Sequence, residues 1–226
     1  MTVSPAMQEY LAEAYRLAYY QPDNPHVSTS DLADVLHVSA PAVTRMVARL
    51  KAAGYLEHEA YKGLRLTPAG EREALLSIRR HRLVERFLVD VMKFGWHECH
   101  DDADELGAVV GDVVMERMAQ MAGNPKRCPH GEPIPTADGH MPKVVDEPLN
   151  TVQPGEWVLS RVSTHDADKL HYLGTMGLLP GTHFHLIERA PFNGPIQLKV
   201  NDATVVIGHE LAGALRVCAE AQFELS

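Results

Sequence analysis

Residues 28–50 read STSDLADVLHVSAPAVTRMVARL, and the fold is decided there. Ser28-Thr29-Ser30-Asp31 offers N-cap side chains for a short helix through Leu36. His37-Val38-Ser39 then makes a tight connection. Ser39 caps the next helix, and Pro41 falls in its first turn, where a missing N–H costs nothing. Val43, Val47 and Leu50 recur at helical spacing, and Gly54 stops the helix. Tyr55 to Leu66 alternates around Lys62-Gly63 as a hairpin does. Two short helices joined by three residues, with a basic hairpin behind them, make a winged helix-turn-helix pattern.

Charge supports that pattern locally. The chain carries −9 overall, an average that opposes nucleic acid. Between Ser39 and Arg65, however, five basic residues (Arg45, Arg49, Lys51, Lys62, Arg65) face two acidic ones (Glu57, Glu59). Such charge neutralises DNA phosphates, while the exposed start of the second helix, Ser39, Pro41, Thr44 and Arg45, is where base edges are read. A helical bundle whose basic face is merely solvated carries the same charges.

Outward from this core, Leu11, Ala14, Tyr15 and Ala18 mark an amphipathic helix over 8–20, ended by the polar stretch Gln21 to His26. Thr67-Pro68 starts a long helix to about Val91. A second long helix is expected from Asp101 to Met121, with Leu106, Val109, Val110, Val113, Val114 and Met121 on one apolar stripe. Such a stripe exceeds what one domain needs and suits a two-fold dimer. Seven of the fifteen prolines fall between Pro125 and Pro154, a segment expected to be a linker of little regular structure. Strand patterns follow at Trp157–Val162, His183–Glu188, Ile196–Val200 and Thr204–Ile207, a small β-barrel or sandwich. The 226 residues thus divide into a DNA-binding domain (1–72), a helical domain (73–142), a linker (143–155) and a β-module (156–226), an α+β multidomain chain. No apolar run suits a membrane span and residues 1–7 do not read as a secretory signal. Three scattered cysteines, Cys99, Cys128 and Cys218, fit a reducing cytoplasm.

Thirteen histidines suggest metal chemistry. His81 and Glu85 are four apart on one helix, so both lie on one face. His100 and Asp104 repeat the spacing on the next helix, with Asp101 and Glu105 close by. Two helices, each offering an imidazole and a carboxylate, can assemble a divalent-cation site, and N/O donors without thiolate favour Mn²⁺ or Fe²⁺. Surface ion pairs at i, i+4 have the same spacing. Cys128-Pro-His130 lacks a second Cys/His pair and reads as an ordinary loop, and Cys99 is offset from the His100/Asp104 face.

With Ser39-Ala-Pro-Ala-Val-Thr-Arg45, Gly63-Leu-Arg-Leu-Thr-Pro-Ala-Gly70, the His81-Arg-Leu-Val-Glu85 stretch and Arg127-Cys-Pro-His-Gly-Glu-Pro-Ile-Pro135 together, nearly the whole chain resembles the diphtheria-toxin-repressor family of metalloregulators, manganese type. The resemblance implies a homodimeric, metal-activated repressor of metal-uptake genes with a winged helix, a helical metal-binding and dimerisation domain and a C-terminal SH3-like domain. It puts Glu9 and Asp104 at primary ligand positions, His81, Glu85 and His100 in the other metal cluster, and Asp166, helped by His165, where the SH3-like domain reaches that cluster. The family's Glu-His pair is Gly107-Ala108 here, so the primary site must be rebuilt from Asp101 or Glu105, or sensing has moved to His81/Glu85/His100.

The sequence is therefore read as a cytoplasmic, Mn²⁺-responsive (alternatively Fe²⁺-responsive) dimeric repressor acting on a palindromic double-stranded operator. The rival readings are a metal-independent winged-helix regulator and a metal hydrolase, for which no nucleophile or substrate-positioning motif is visible.

Overall fold

The computed structural model describes residues 3–21, 24–59 and 61–224. Pro22 and Asp23, within the expected Gln21–His26 break, and Ala60, within the expected hairpin, lie outside the described residues, as do the four terminal ones. Two compact units are present: Met1–His81 with Pro135–Met141, and Arg82–Ile134 with Pro142–Ser226.

In the first unit, α1 (Pro5–Tyr19), α2 (Thr29–Val35) and α3 (Ala40–Ala52) precede a hairpin of β1 (Leu56–Glu59) and β2 (Gly63–Leu66), after which α4 (Pro68–Asp90) begins. Ser28 Oγ accepts from the Asp31 N–H at 2.9 Å, satisfying an orphan donor at the start of α2. Ser39 occupies the N-cap of α3, but its hydroxyl makes no capping hydrogen bond. The hairpin pairs Leu56 with Leu66 and Glu59 with Gly63. Leu11, Leu32, Val43, Leu50, Leu64 and Ile78 fill the core, so every element contributes to one apolar interior. Thr67 ties α4 to the end of α3: its hydroxyl donates to the Gly54 carbonyl at 2.7 Å and accepts from the Gly70 N–H at 3.1 Å. Gly70 is required there, because a Cβ would sit 2.0 Å from the Tyr55 carbonyl oxygen.

In the second unit, the rest of α4 is followed by α5 (His100–Val109) and α6 (Asp112–Met121). A six-stranded antiparallel sheet then runs in the order β3-β8-β4-β5-β6-β7, from β3 (Glu147–Pro148), β4 (Gly155–Val162), β5 (His183–Arg189), β6 (Ile196–Val200), β7 (Ala203–Ile207) and β8 (Leu215–Cys218), with α7 (Ala167–Thr175) after β4. Leu159, Leu173, Leu186, Leu198 and Leu215 make the sheet's core. Alternation on β6 is strict, with Ile196, Leu198 and Val200 in and Gln197 and Lys199 out.

Two expectations are corrected. The single helix from Asp101 to Met121 is broken at Val110-Gly111, where Val110 turns extended (ψ 130°) and Gly111 becomes a new N-cap. The break re-phases the surface. Ala103, Met115, Met118 and Ala119 face the core, while Val109, Val113, Val114 and Met121 stay exposed. The Pro125–Pro154 segment has no helix and only two residues of strand, yet it is not a solvated linker: residues 128–135 are all buried.

An ion network accompanies that burial. Arg161 on β4 donates to Asp146 (2.7 Å from Nε, 3.1 Å from Nη2) and to Glu132 (3.0 Å from Nη1). Glu132 also pairs with Arg82 on α4 at 3.3 Å, and Asp146 with Arg216 on β8 at 2.9 Å. Burial opposes ionisation of Asp146, but the Arg161 and Arg216 guanidinium groups more than offset it and hold the carboxyl below its ordinary range. A charge-alternating rod thus joins the sheet to the helix that bears Glu85. Among the described residues, no helix is long and apolar enough to cross a membrane.

Candidate metal centre

The division between the units falls after His81, inside α4, and the helix runs through it unbroken. Its 3.6-residue turn stacks His81 and Glu85 on one face. Glu85 is 1% exposed and His81 6%. From the start of α5, His100 directs Nδ1 at Glu85 Oε1, 3.2 Å away. His81, Glu85 and His100 together supply two imidazoles and a carboxylate, a donor set that could hold one ion.

A second imidazole meets the same carboxylate. His130, wholly buried, places Nδ1 3.3 Å from Glu85 Oε1. Its Nε2 lies 2.8 Å from the Trp96 carbonyl, which can only accept, so Nε2 carries the proton. Cys99 also donates to that carbonyl, at 3.5 Å, and its sulfur, Glu85 and His130 form another group within 4.8 Å. Cys128 Sγ is 3.9 Å from His130 Nδ1. Burial raises the thiols of Cys99 and Cys128, with the Glu85 charge adding to it. Burial alone would lower His130, but its hydrogen bonds to Cys128 and Glu85 prevail and hold it at about 11. A buried carboxylate gripped by two imidazoles demands positive charge, which protons or a metal ion can supply.

The other expected ligands are spread out. Asp104 Oδ2 is 3.8 Å from His100 Nε2, with more than half its side chain exposed. Asp101 and Glu105 are exposed on α5, Gly107 is buried, and neither Gly107 nor Ala108 has a donor side chain. Glu9 is exposed on α1, in the first unit. From the β-module it is His165 that arrives: its ring stacks on His100 with centroids 4.2 Å apart and planes 11° from parallel. Asp166 caps α7 instead, accepting from the Lys169 N–H at 3.0 Å.

Cys99 and His130 were missed by sequence reasoning. The Cys128-Pro-His130 spacing was a usable signal, but its partners lie thirty or more positions upstream and no spacing rule connects them.

The expected DNA face is all at the surface. Ser39, Pro41, Thr44, Arg45, Arg49, Lys51, Lys62 and Arg65 are exposed. Thr44 donates its hydroxyl to the Ala40 carbonyl at 3.0 Å. Glu59 restrains the hairpin's charge, pairing with Lys62 at 3.0 Å and His26 at 3.2 Å and reaching Arg65 at 4.0 Å.

Known proteins share this organisation. The model of the iron dependent repressor N-terminal DNA binding domain matches residues 2–64, that of the iron dependent repressor metal binding and dimerisation domain residues 67–136, and that of the FeoA domain residues 147–218. The iron-dependent repressor IdeR of Mycobacterium leprae is 28% identical over 201 residues, spanning 82% of this chain and 86% of its own. A manganese-dependent transcriptional repressor solved in complex with manganese is 33% identical, with a TM-score of 0.86 over 94% of this chain and 99% of its own. ScaR with bound Zn²⁺ is 29% identical, with a TM-score of 0.78 over 94% of this chain and 98% of its own.

Proposed function

Since the chain belongs to the iron-dependent repressor family of metal-dependent transcriptional regulators, we propose that it represses by binding a palindromic operator as a dimer once Mn²⁺ occupies His81, Glu85 and His100. The observation that carries this reading is the Glu85 carboxylate, 1% exposed and 3.2 Å from a histidine nitrogen. Two imidazoles and a carboxylate suit a borderline divalent ion, with Fe²⁺ as the alternative. Gly107 and Ala108 offer no such donors, which supports this cluster over the Glu9/Asp104 positions as the better-occupied site. Glu9 and Asp104 would then serve mainly to couple metal to DNA binding, with Asp101, Glu105, Asp166 and His165 as auxiliary groups. The dimer would use the exposed Val109, Val113, Val114 and Met121. Repression in the cytoplasm requires the ion to bind the DNA-competent arrangement more tightly than the open one.

Calorimetry on His81→Ala beside Asp104→Ala tests the ranking. Mn²⁺ affinity should drop at least tenfold in His81→Ala, ~1.4 kcal/mol. Metal binding abolished in Asp104→Ala but intact in His81→Ala reverses it. Operator binding unaffected by Mn²⁺, Fe²⁺ or chelator would instead favour a metal-independent regulator.

A further inference from the structure

We infer that Cys99, Glu85 and His130 form a second, thiol-bearing site that takes a thiophilic divalent ion, Zn²⁺ above all, and shares Glu85 with the site proposed for Mn²⁺. The assignment extends the proposed function through that shared carboxylate. Three observations converge on it. The three ligand atoms lie within 4.8 Å of one another, and all three residues are buried. Because His130 gives its Nε2 proton to the Trp96 carbonyl, Nδ1 is the nitrogen turned toward Glu85 Oε1, 3.3 Å away. Nδ1 is thus the ring nitrogen left to ligate an ion, and it lies beside the Glu85 carboxylate that would ligate the same ion.

The geometry is also held from outside. The Val162 N–H donates to the His130 carbonyl at 2.9 Å, fixing the backbone of the loop to β4. Gly131, at φ +84°, lets that loop lie against the strand, where a Cβ would meet the Ser160 carbonyl oxygen at 2.2 Å. Cys99 sits one residue ahead of His100 at the start of α5, so neighbouring residues contribute to two donor sets that share Glu85, whose Oε1 both His100 and His130 address. The sets differ in chemistry. Imidazole and carboxylate accept Mn²⁺ readily, whereas a thiolate favours Zn²⁺. Loading expels the Cys99 thiol proton to solvent as the thiolate binds the ion.

Zn K-edge absorption on the intact protein loaded with one equivalent of Zn²⁺ should resolve one sulfur neighbour at about 2.3 Å. Co²⁺ substitution should give a near-ultraviolet thiolate charge-transfer band that disappears in Cys99→Ser and persists in Cys128→Ala and Cys218→Ala. Zn²⁺ affinity should fall at least tenfold in Cys99→Ser. A zinc shell without sulfur or with two sulfurs overturns the assignment, as does a band that survives in Cys99→Ser or vanishes in Cys128→Ala. Loss of the Mn²⁺ response in operator binding would refute the proposed function and leave the sulfur signal untouched, so the two failures are distinguishable.

Discussion

Replacing Arg161 with Met tests how the sheet supports the metal-bearing helix. Arg161 is 5% exposed and divides its guanidinium between Asp146 and Glu132, whose side chains are 1% and 3% exposed. Methionine fills much of the same volume but leaves both carboxylates short of a partner. Breaking a buried pair costs about 3–5 kcal/mol because the remaining charge is stranded. Here each carboxylate keeps one cation, Asp146 holding Arg216 and Glu132 holding Arg82, so the lower end applies, ~3 kcal/mol. The unfolding equilibrium constant should therefore rise by about two orders of magnitude. Urea denaturation at pH 7, followed by circular dichroism, measures this directly. The sign with pH is also determined. Asp146 is held below its ordinary value of 3.8, so its stabilisation is fully present above that pH and is lost as pH falls through the lower, folded value. The deficit of Arg161→Met should narrow on acidification below pH ~4. A deficit under about 1 kcal/mol at pH 7, or one that widens in acid, would refute the account of the network as a buried electrostatic tie.

Further predictions concern DNA, assembly and backbone. Arg45→Ala should weaken operator binding by about 1–3 kcal/mol if the side chain reads a base, and unchanged anisotropy titrations would remove Arg45 from the interface. Glu59→Gln should release Lys62 and so tighten binding to any duplex while steepening its salt dependence by about one counterion; a flat response would mean Lys62 meets no phosphate. Val113→Glu puts a charge on the 86%-exposed valine of α6 and should shift the protein to monomer in analytical ultracentrifugation, and an intact dimer would exclude this face. Gly131→Ala should destabilise the second unit by more than 1 kcal/mol, through φ +84° and the clash with Ser160 together, which thermal melts would reveal.

The winged helix and the His81/Glu85 pair were legible because their signals are local. Ser28, Ser39, Pro41 and Gly54 punctuate helices within a few residues, and the i, i+4 spacing puts two side chains on one face without help from the rest of the chain. The six-stranded sheet was partly legible from alternation, although β8 and α7 went unread because each is short and half apolar. Periodicity failed at Val110-Gly111, where a stripe continuous in sequence runs across a break between two helices. The Pro125–Pro154 segment was misjudged for a different reason. Prolines announce the absence of regular structure, but burial there depends on Glu132 meeting Arg82 and Arg161, fifty positions upstream and twenty-nine downstream. Likewise, Cys99 and His130 converge on Glu85 only after α4, α5 and β4 have packed. Ligand types and helical spacing are written in the chain, whereas which donors share one carboxylate is decided by long-range packing.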